Sequence, residues 1–132
     1  MKENSETKVL IIEDDVYISE MYKIKFESEN YKTVITNNGS EVINLIKKEK
    51  PNIILLDIVM PVMDGFDVLK IIKSNKKFNN IPVVMLTNLS QKESIERVFE
   101  LGAKGYIVKS HFTPSEVVKK VKDILDGNES DD

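Results

Sequence analysis

Apolar residues along the chain fall into five short runs, separated by stretches with a different spacing. The runs are Val9–Ile12, Thr33–Ile35, Ile53–Leu56, Val83–Leu86 and Tyr106–Val108. Several runs are continuous rather than alternating, which is typical of strands that are buried on both faces of a sheet. The pattern therefore predicts five largely buried strands.

In each stretch between or after the runs, apolar residues recur at intervals of three or four, which predicts five amphipathic helices. The residues that mark these helices are Ile18, Met21, Tyr22 and Phe26; Val42, Leu45 and Ile46; Phe66, Leu69 and Ile72; Ile95, Val98, Phe99 and Leu101; and Val117, Val118, Val121 and Leu125. Five strand–helix repeats predict an α/β fold with a parallel sheet and helices on both faces. Right-handed crossovers leave few topologies for such a chain.

Residues suited to helix ends support these boundaries. Asn30 and Gly102 can adopt the left-handed conformation that ends the first and fourth helices. Ser90, with Glu93 three residues later, predicts a capping box at the start of the fourth helix. Thr113 is predicted to cap the last helix, whose first turn then begins with a proline.

The length of 132 residues suits one domain, and we find no linker, repeat or low-complexity tract. We expect residues 1–7 to be disordered or extended and residues 8–126 to form the domain. Residues 127–132 are polar and acidic, and we expect them to be a frayed tail.

Composition narrows the function classes. Lys and Arg number 19 against 22 Asp and Glu, a net charge of -3, which argues against direct nucleic-acid binding. The absence of cysteine excludes disulfides and thiolate metal sites. No apolar run approaches the roughly 18 residues of a membrane span, and the polar start lacks a secretory signal. We therefore expect a cytoplasmic protein with no membrane partner.

Chemically distinctive residues directly follow four of the predicted strands. They are Glu13, Asp14 and Asp15 after the first, Asp57 after the third, Thr87 after the fourth and Lys109 after the fifth. In open parallel sheets, functional groups gather beyond the carboxyl ends of the strands. Clustered carboxylates stay ionised most easily around a divalent cation, and all-oxygen ligands favour Mg²⁺. A threonine hydroxyl and a lysine beside them suit the stabilisation of an aspartyl phosphate.

The ordered set of segments resembles the receiver domains of two-component response regulators, including the chemotaxis regulators. The matching segments are Glu13-Asp14-Asp15, Ile54-Leu55-Leu56-Asp57-Ile58-Val59-Met60-Pro61-Val62-Met63-Asp64-Gly65, Met85-Leu86-Thr87 and Gly102-Ala103-Lys104-Gly105-Tyr106-Ile107-Val108-Lys109. Each segment alone is weak evidence for this resemblance, but the order and spacing of the segments agree with the receiver pattern from Lys8 to about Leu125. The resemblance implies a flavodoxin-like fold: a doubly wound, five-stranded parallel sheet in the order 2-1-3-4-5, flanked by five helices.

The resemblance also implies a phosphorylation site. Asp57 would accept a phosphoryl group from the phosphohistidine of a sensor histidine kinase or histidine phosphotransfer protein. Asp15 and Asp57 would ligate Mg²⁺ directly and Asp14 through water, with the backbone carbonyl of Val59 as a further ligand. Gly65 would serve the turn that opens the third helix.

A switch is implied at the same edge. Thr87 would move toward the phosphoryl group, Tyr106 would swing inward behind it, and Lys109 would pair with Asp57 or its phosphate. The surface of the fourth helix, fifth strand and fifth helix would then regulate a downstream protein target. Such a chain is not a conventional enzyme, since it catalyses only its own phosphorylation and slow dephosphorylation. We favour a stand-alone regulator; the alternative is a receiver cut from a longer one, for example a DNA-binding regulator.

Three features depart from the receiver pattern. The usual proline after the lysine, with its cis peptide bond, is replaced in Lys109-Ser110; either the site enforces a cis bond, which costs about 3 kcal/mol, or the loop differs. In the family, Val59 and Leu89 would flank the path of the hydrolytic water. Both are apolar and cannot orient water, so we expect slow loss of the phosphoryl group. Lys104-Gly105 replaces an acidic pair that is frequent in receivers that dimerise.

Structural roles compete with the functional ones. Asp14 or Asp15 can cap the first helix, and Thr87 can simply end a strand. Tyr106 can be an ordinary core aromatic. His111, the only histidine, lacks neighbouring ligands at metal-binding spacing and suits an exposed loop.

Other functions fit these residues less well. A magnesium-dependent phosphatase of the haloacid-dehalogenase type needs a second Asp where Val59 stands. A pseudo-receiver that only binds partners would not need the full set of acids, threonine and lysine. A flavin- or nucleotide-binding relative needs a Gly-, Ser- or Thr-rich loop after the first strand, where Glu13-Asp14-Asp15 would repel phosphate.

Overall fold

A computed structural model describes residues 6–127 and contains the five predicted strands in one parallel sheet. The strands are β1 (Lys8–Ile12), β2 (Lys32–Thr36), β3 (Ile53–Leu56), β4 (Val83–Thr87) and β5 (Gly105–Val108). Their order is β2-β1-β3-β4-β5, and every neighbouring pair is parallel. The predicted fold class and strand order are confirmed.

The five helices follow the strands in alternation. They are α1 (Val16–Ser28), α2 (Val42–Glu49), α3 (Gly65–Ser74), α4 (Lys92–Glu100) and α5 (Pro114–Leu125). Single turns of 3-10 helix lie at Gly39–Glu41 and Lys109–His111. Within the described residues, no helix has the length and apolarity needed to cross a bilayer. Of the expected terminal segments, residues 1–5 and 128–132 lie outside the described part of the chain.

The sheet separates two hydrophobic cores, because successive strand residues point to opposite faces. Leu10 and Ile12 of β1 pack with α2, α3 and α4, whereas Val9 and Ile11 pack with α1 and α5. The central strands are buried on both faces, which explains why their sequences are continuous apolar runs. Helix α4 is the most loosely held, since Val98 is its only fully buried residue.

The helix ends agree with the sequence in three of four cases. Asn30 and Gly102 have positive φ angles of 71° and 105° after α1 and α4. The Thr113 side chain accepts the Glu116 amide in a complete capping box. The predicted cap at Ser90 is wrong: α4 begins at Lys92, its N-cap Gln91 makes no side-chain capping bond, and Ser90 lies one position too early.

Gly65 is required by a close backbone approach rather than by a left-handed turn. A Cβ atom at this position would lie 2.3 Å from the carbonyl oxygen of Asp57 and 2.6 Å from the Cα of Ile58. The Gly65 amide donates to the Ile58 carbonyl at 2.8 Å. The start of α3 is thereby held directly against the residue that follows β3, which is where the distinctive chemistry begins.

Candidate functional site

The parallel sheet brings the predicted site residues to one edge. Asp57 directly follows β3, Thr87 ends β4 and Lys109 directly follows β5, while the acidic segment 13–15 follows β1. Since all neighbouring strands run the same way, their carboxyl ends meet at this edge. The structure therefore assembles residues that are up to 96 positions apart in the chain.

Three carboxylates form a cluster at this edge. Glu13, Asp14 and Asp57 each offer an oxygen atom within 4.8 Å of the others. Glu13 and Asp57 are buried, with 4% and 6% of their surface exposed, whereas Asp14 is open to solvent. Buried carboxylates repel one another and are stabilised by a cation among or beside them.

Lys109 supplies a permanent positive charge to the cluster. Its Nζ donates a hydrogen bond to Asp57 Oδ2 at 3.1 Å and another to Glu13 Oε1, and its side chain is 9% exposed. Burial opposes the charge on Lys109, but the bond to Glu13 and the negative charge of Asp57 outweigh it, so the pKa of Lys109 is raised. The lysine is thus held as a cation between two buried acids.

The carboxyl group of Glu13 is strongly perturbed by its burial. Burial raises its pKa to about 7, against the opposing effects of the Lys109 hydrogen bond and the Asp15 amide. The nearby charge of Asp57 acts in the same direction as burial. A pKa near 7 predicts that Glu13 changes its protonation around neutral pH.

Asp15 is placed differently from its predicted role as a direct metal ligand. Its Oδ1 accepts the backbone N–H of Ile18 at 3.0 Å, which caps α1, and its own amide donates to Glu13 Oε2 at 3.1 Å. The carboxylate cluster contains Glu13 in its place. The structure thus shows that Asp15 caps α1, whereas its role as a metal ligand stays a prediction. The sequence signal was its position directly before the first residue of α1.

Thr87 and Tyr106 lie on adjacent strands and both contact the β4–α4 loop. Thr87 is completely buried, and its Oγ1 accepts the Leu89 amide at 3.3 Å. The half-buried Tyr106 donates its hydroxyl hydrogen to the Leu89 carbonyl. Burial, followed by the charge of Asp57, raises the pKa of Tyr106. The two predicted switch residues are therefore joined through one loop residue.

Two further predicted positions lie at the edge of the site. The Val59 amide donates to Asp57 Oδ1 at 3.3 Å, and its side chain is 61% exposed. His111 is exposed at the end of the 3-10 turn, as expected for a loop histidine.

The sequence left open whether the Lys109–Ser110 peptide is cis or the loop after β5 differs from the family pattern, and the structure shows that the loop differs. Residues 6–127 contain no cis peptide bond, so the Lys109–Ser110 peptide is trans. The Ser110 amide donates to Asn88 Oδ1 at 2.8 Å. Lys109 reaches Asp57 from this trans peptide, without the usual proline.

Comparisons with known proteins agree with this architecture. The family model described as "Response regulator receiver domain" matches residues 9–122. The DNA-binding response regulator MtrA of Mycolicibacterium smegmatis is 30% identical over 124 residues, covering 94% of this chain and 53% of MtrA. A probable transcriptional regulator, ycf27 of Porphyridium aerugineum, is 32% identical over 118 residues, covering 89% of this chain and 48% of ycf27.

Solved structures show the same likeness. The chemotaxis protein CheY4 of Vibrio cholerae superposes with a TM-score of 0.82 at 28% identity, covering 88% of this chain and 96% of CheY4. A CheY-like receiver domain protein of Methanospirillum hungatei gives 0.83 at 30% identity, with coverages of 92% and 95%.

The fold and the acidic edge define a receiver module of two-component signalling. The chain belongs to the response regulator receiver domain family. It spans about half the length of the regulators that it matches in sequence.

Replacing Lys109 with Met should destabilise the protein in a pH-dependent way. Removing one partner of a buried ion pair costs about 3 kcal/mol, because Glu13 and Asp57 then face each other without a cation. The raised pKa of Glu13 means that the folded state binds this proton more tightly than the unfolded state. The resulting contribution to the free energy of unfolding is present at acidic pH and is lost as the pH rises through about 7. Urea unfolding should therefore show a larger loss at pH 8 than at pH 5.5.

The matched control is Lys119→Met, which removes an exposed lysine paired with Asp123 on α5. Its effect should stay below about 0.5 kcal/mol at both pH values. An equal loss for Lys109→Met at the two pH values would contradict the proposed electrostatic role.

Proposed function

We propose that this chain is a phosphorylation-dependent signalling switch that carries its phosphoryl group on Asp57. The observation that supports this most directly is the position of the Asp57 carboxylate. One of its oxygens lies within 4.8 Å of oxygens of Glu13 and Asp14, and its Oδ2 accepts a hydrogen bond from Lys109 at 3.1 Å. A carboxylate nucleophile beside both a group of acids that could hold a cation and an ammonium group is suited to phosphoryl transfer.

Mg²⁺ is the cofactor that this donor set fits. The cluster offers only oxygen ligands, and the open side of Asp14 leaves room for the waters that Mg²⁺ retains. Asp14, Asp57 and the backbone carbonyl of Val59 would hold the ion, with Glu13 in the place first predicted for Asp15. When bound, Mg²⁺ would neutralise phosphoryl charge.

The transfer step is a displacement at phosphorus. A carboxylate oxygen of Asp57 forms a bond to the phosphorus, and the bond from phosphorus to the donor's histidine nitrogen breaks, leaving the imidazole as the leaving group. Lys109, already beside Asp57 Oδ2, would neutralise charge on the phosphoryl oxygens. The buried hydroxyl of Thr87 would donate a hydrogen bond to them once it leaves the Leu89 amide. The donor would be a sensor histidine kinase or a histidine phosphotransfer protein.

The proposed output is a change in the surface formed by α4, β5 and α5. A phosphoryl group adds nearly two negative charges at Asp57. A shift of Thr87 toward that charge would disturb Leu89, and with it the hydrogen bond from Tyr106. Reversing a population from 1:99 to 99:1 requires about 5.5 kcal/mol of differential stabilisation. The downstream target would be a protein that binds this surface.

The receiver would act either by itself or as one domain of a longer regulator. The second arrangement is supported by its coverage of about half of MtrA and ycf27. In that case an attached effector domain would provide the output. The cytoplasmic location inferred from composition stays a prediction.

Incubation with acetyl phosphate and Mg²⁺ should add the mass of one phosphoryl group to the wild-type chain. Asp57→Asn should take up none, because the amide is not a nucleophile. Asp67→Asn, which changes an exposed acid on α3, should be phosphorylated like wild type. Intact-mass spectrometry reads all three proteins, and labelling of Asp57→Asn at the wild-type level would refute the proposal.

The affinity for Mg²⁺ should rise between pH 6 and pH 8. Glu13, with a pKa of about 7, holds a proton in the lower part of this range, and a cation competes with that proton. Glu13→Gln should weaken binding and flatten this pH dependence, whereas Asp15→Asn should retain both. Isothermal titration calorimetry of the three proteins across this pH range distinguishes the two candidate ligand sets. The reverse pattern would support Asp15, rather than Glu13, as the Mg²⁺ ligand.

Loss of the phosphoryl group should be slow, and Val59→Asn should accelerate it. The exposed Val59 side chain cannot orient a hydrolytic water, whereas an amide can. After removal of excess acetyl phosphate, the fraction phosphorylated is followed by mass over time. Val59→Leu, which stays apolar, should match wild type; an unchanged or slower rate in Val59→Asn would count against the idea.

A further inference from the structure

The loops that follow β4 and β5 are joined by a hydrogen bond between a side chain and the backbone. The Ser110 amide donates to Oδ1 of Asn88 at 2.8 Å. Asn88 directly follows Thr87, and Ser110 directly follows Lys109, so this bond links the segments that carry two of the proposed functional residues.

This contact depends on the departure from the family pattern at position 110. A proline has no N–H to donate, whereas Ser110 in its trans peptide has one. The turn itself is weakly closed, because the backbone bond from the Phe112 amide to the Lys109 carbonyl is 3.4 Å long. The bond to Asn88 is therefore shorter than the turn's own backbone bond.

The position of the turn matters because it carries Lys109. The Lys109 ammonium must reach Asp57 and Glu13 together, and both are buried beneath the edge of the sheet. A side chain as long as lysine loses much conformational entropy when it is held in one place. A fixed backbone reduces the total entropy cost that the ion pairs must offset. An anchored turn thus favours the productive position of Nζ.

We propose that Asn88 is a positioning residue for Lys109, holding the turn at Lys109–His111 against the end of β4 in the place of the usual proline. This inference rests on the proposed function in so far as Lys109 assists phosphoryl transfer. The loop after β4 that carries Asn88 also contacts β5 itself, because the Leu89 carbonyl accepts the Tyr106 hydroxyl. Movement of Thr87 toward a phosphoryl group therefore acts on the lysine turn as well as on Tyr106.

The test compares Asn88→Ala with wild type in two measurements. Removing one hydrogen bond of this kind should lower the rate constant of phosphorylation by saturating acetyl phosphate with Mg²⁺ about three- to tenfold. In ¹⁵N NMR, the Ser110 amide should lose its protection from exchange. The Nζ signal of Lys109, which is observable when the ammonium is held in ion pairs, should broaden or disappear.

Three matched variants separate positioning from general damage. Ser110→Ala keeps the backbone N–H and should behave as wild type in both measurements. Ser90→Ala, in the same loop as Asn88, should also behave as wild type. Asn88→Asp keeps an acceptor oxygen and should restore the Lys109 Nζ signal. Thermal unfolding should show that all variants are folded, since Asn88 and Ser110 are both exposed.

The outcomes distinguish this inference from the proposed function. An unchanged rate and an unchanged Lys109 signal in Asn88→Ala would overturn the positioning role while leaving phosphorylation of Asp57 intact. If the wild-type chain accepts no phosphoryl group but Asn88→Ala still loses the Lys109 signal, the proposed function fails and the positioning role stands. Rescue by Asn88→Asp supports it directly.

Discussion

The ion pairs of Lys109 with Asp57 and Glu13 are the interaction on which the site depends. Two buried carboxylates within 4.8 Å of each other, and of Asp14, would be unfavourable alone, because burial and mutual repulsion both penalise their charged forms. One ammonium group between them offsets that penalty without filling the exposed side at Asp14. The arrangement keeps the Asp57 carboxylate buried and in contact with a cation.

Every other feature of the edge serves to bring these groups together. The parallel register of β1, β3, β4 and β5 aligns their carboxyl ends, and a fully apolar β3 places Asp57 at the boundary between core and solvent. Gly65 lets α3 begin against the Asp57 carbonyl, where a side chain would not fit. The site is therefore a product of the topology, with loop hydrogen bonds adjusting the final positions.

Most of the fold could be predicted from the sequence, because the two patterns that indicate strands and helix ends are each formed by residues close together in the chain. Continuous apolar runs mark strands that are covered on both faces, and left-handed residues such as Asn30 and Gly102 mark helix ends. The Ser90 cap failed because a capping box is a spacing pattern, and a shift of α4 by one residue leaves the serine outside it. Met21 and Phe99 follow helical spacing yet are 42% and 45% exposed, since spacing alone does not say where a helix meets the sheet.

The site was predictable in its residue types but less so in its geometry. Order along the chain indicated that acids, a threonine and a lysine meet at one edge. Which acids face inward depends on where β1 ends and α1 begins: Glu13 still turns toward the cluster, while Asp15 already belongs to the helix. Likewise, the partner of the Ser110 amide comes from another loop, 22 positions away, and no local pattern indicates it.

The unequal anchoring of the helices has a mechanical consequence. Helix α3 buries five residues, whereas α4 buries only Val98 and gains a cation–π contact from Arg97, whose guanidinium lies 4.0 Å from the centre of the Phe66 ring. A helix held by one buried side chain can tilt or slide with little loss of apolar contact, so α4 is the most compliant part of this face. We therefore expect small displacements at the end of β4 to be taken up more readily by α4 than by α3, which is anchored by five buried residues.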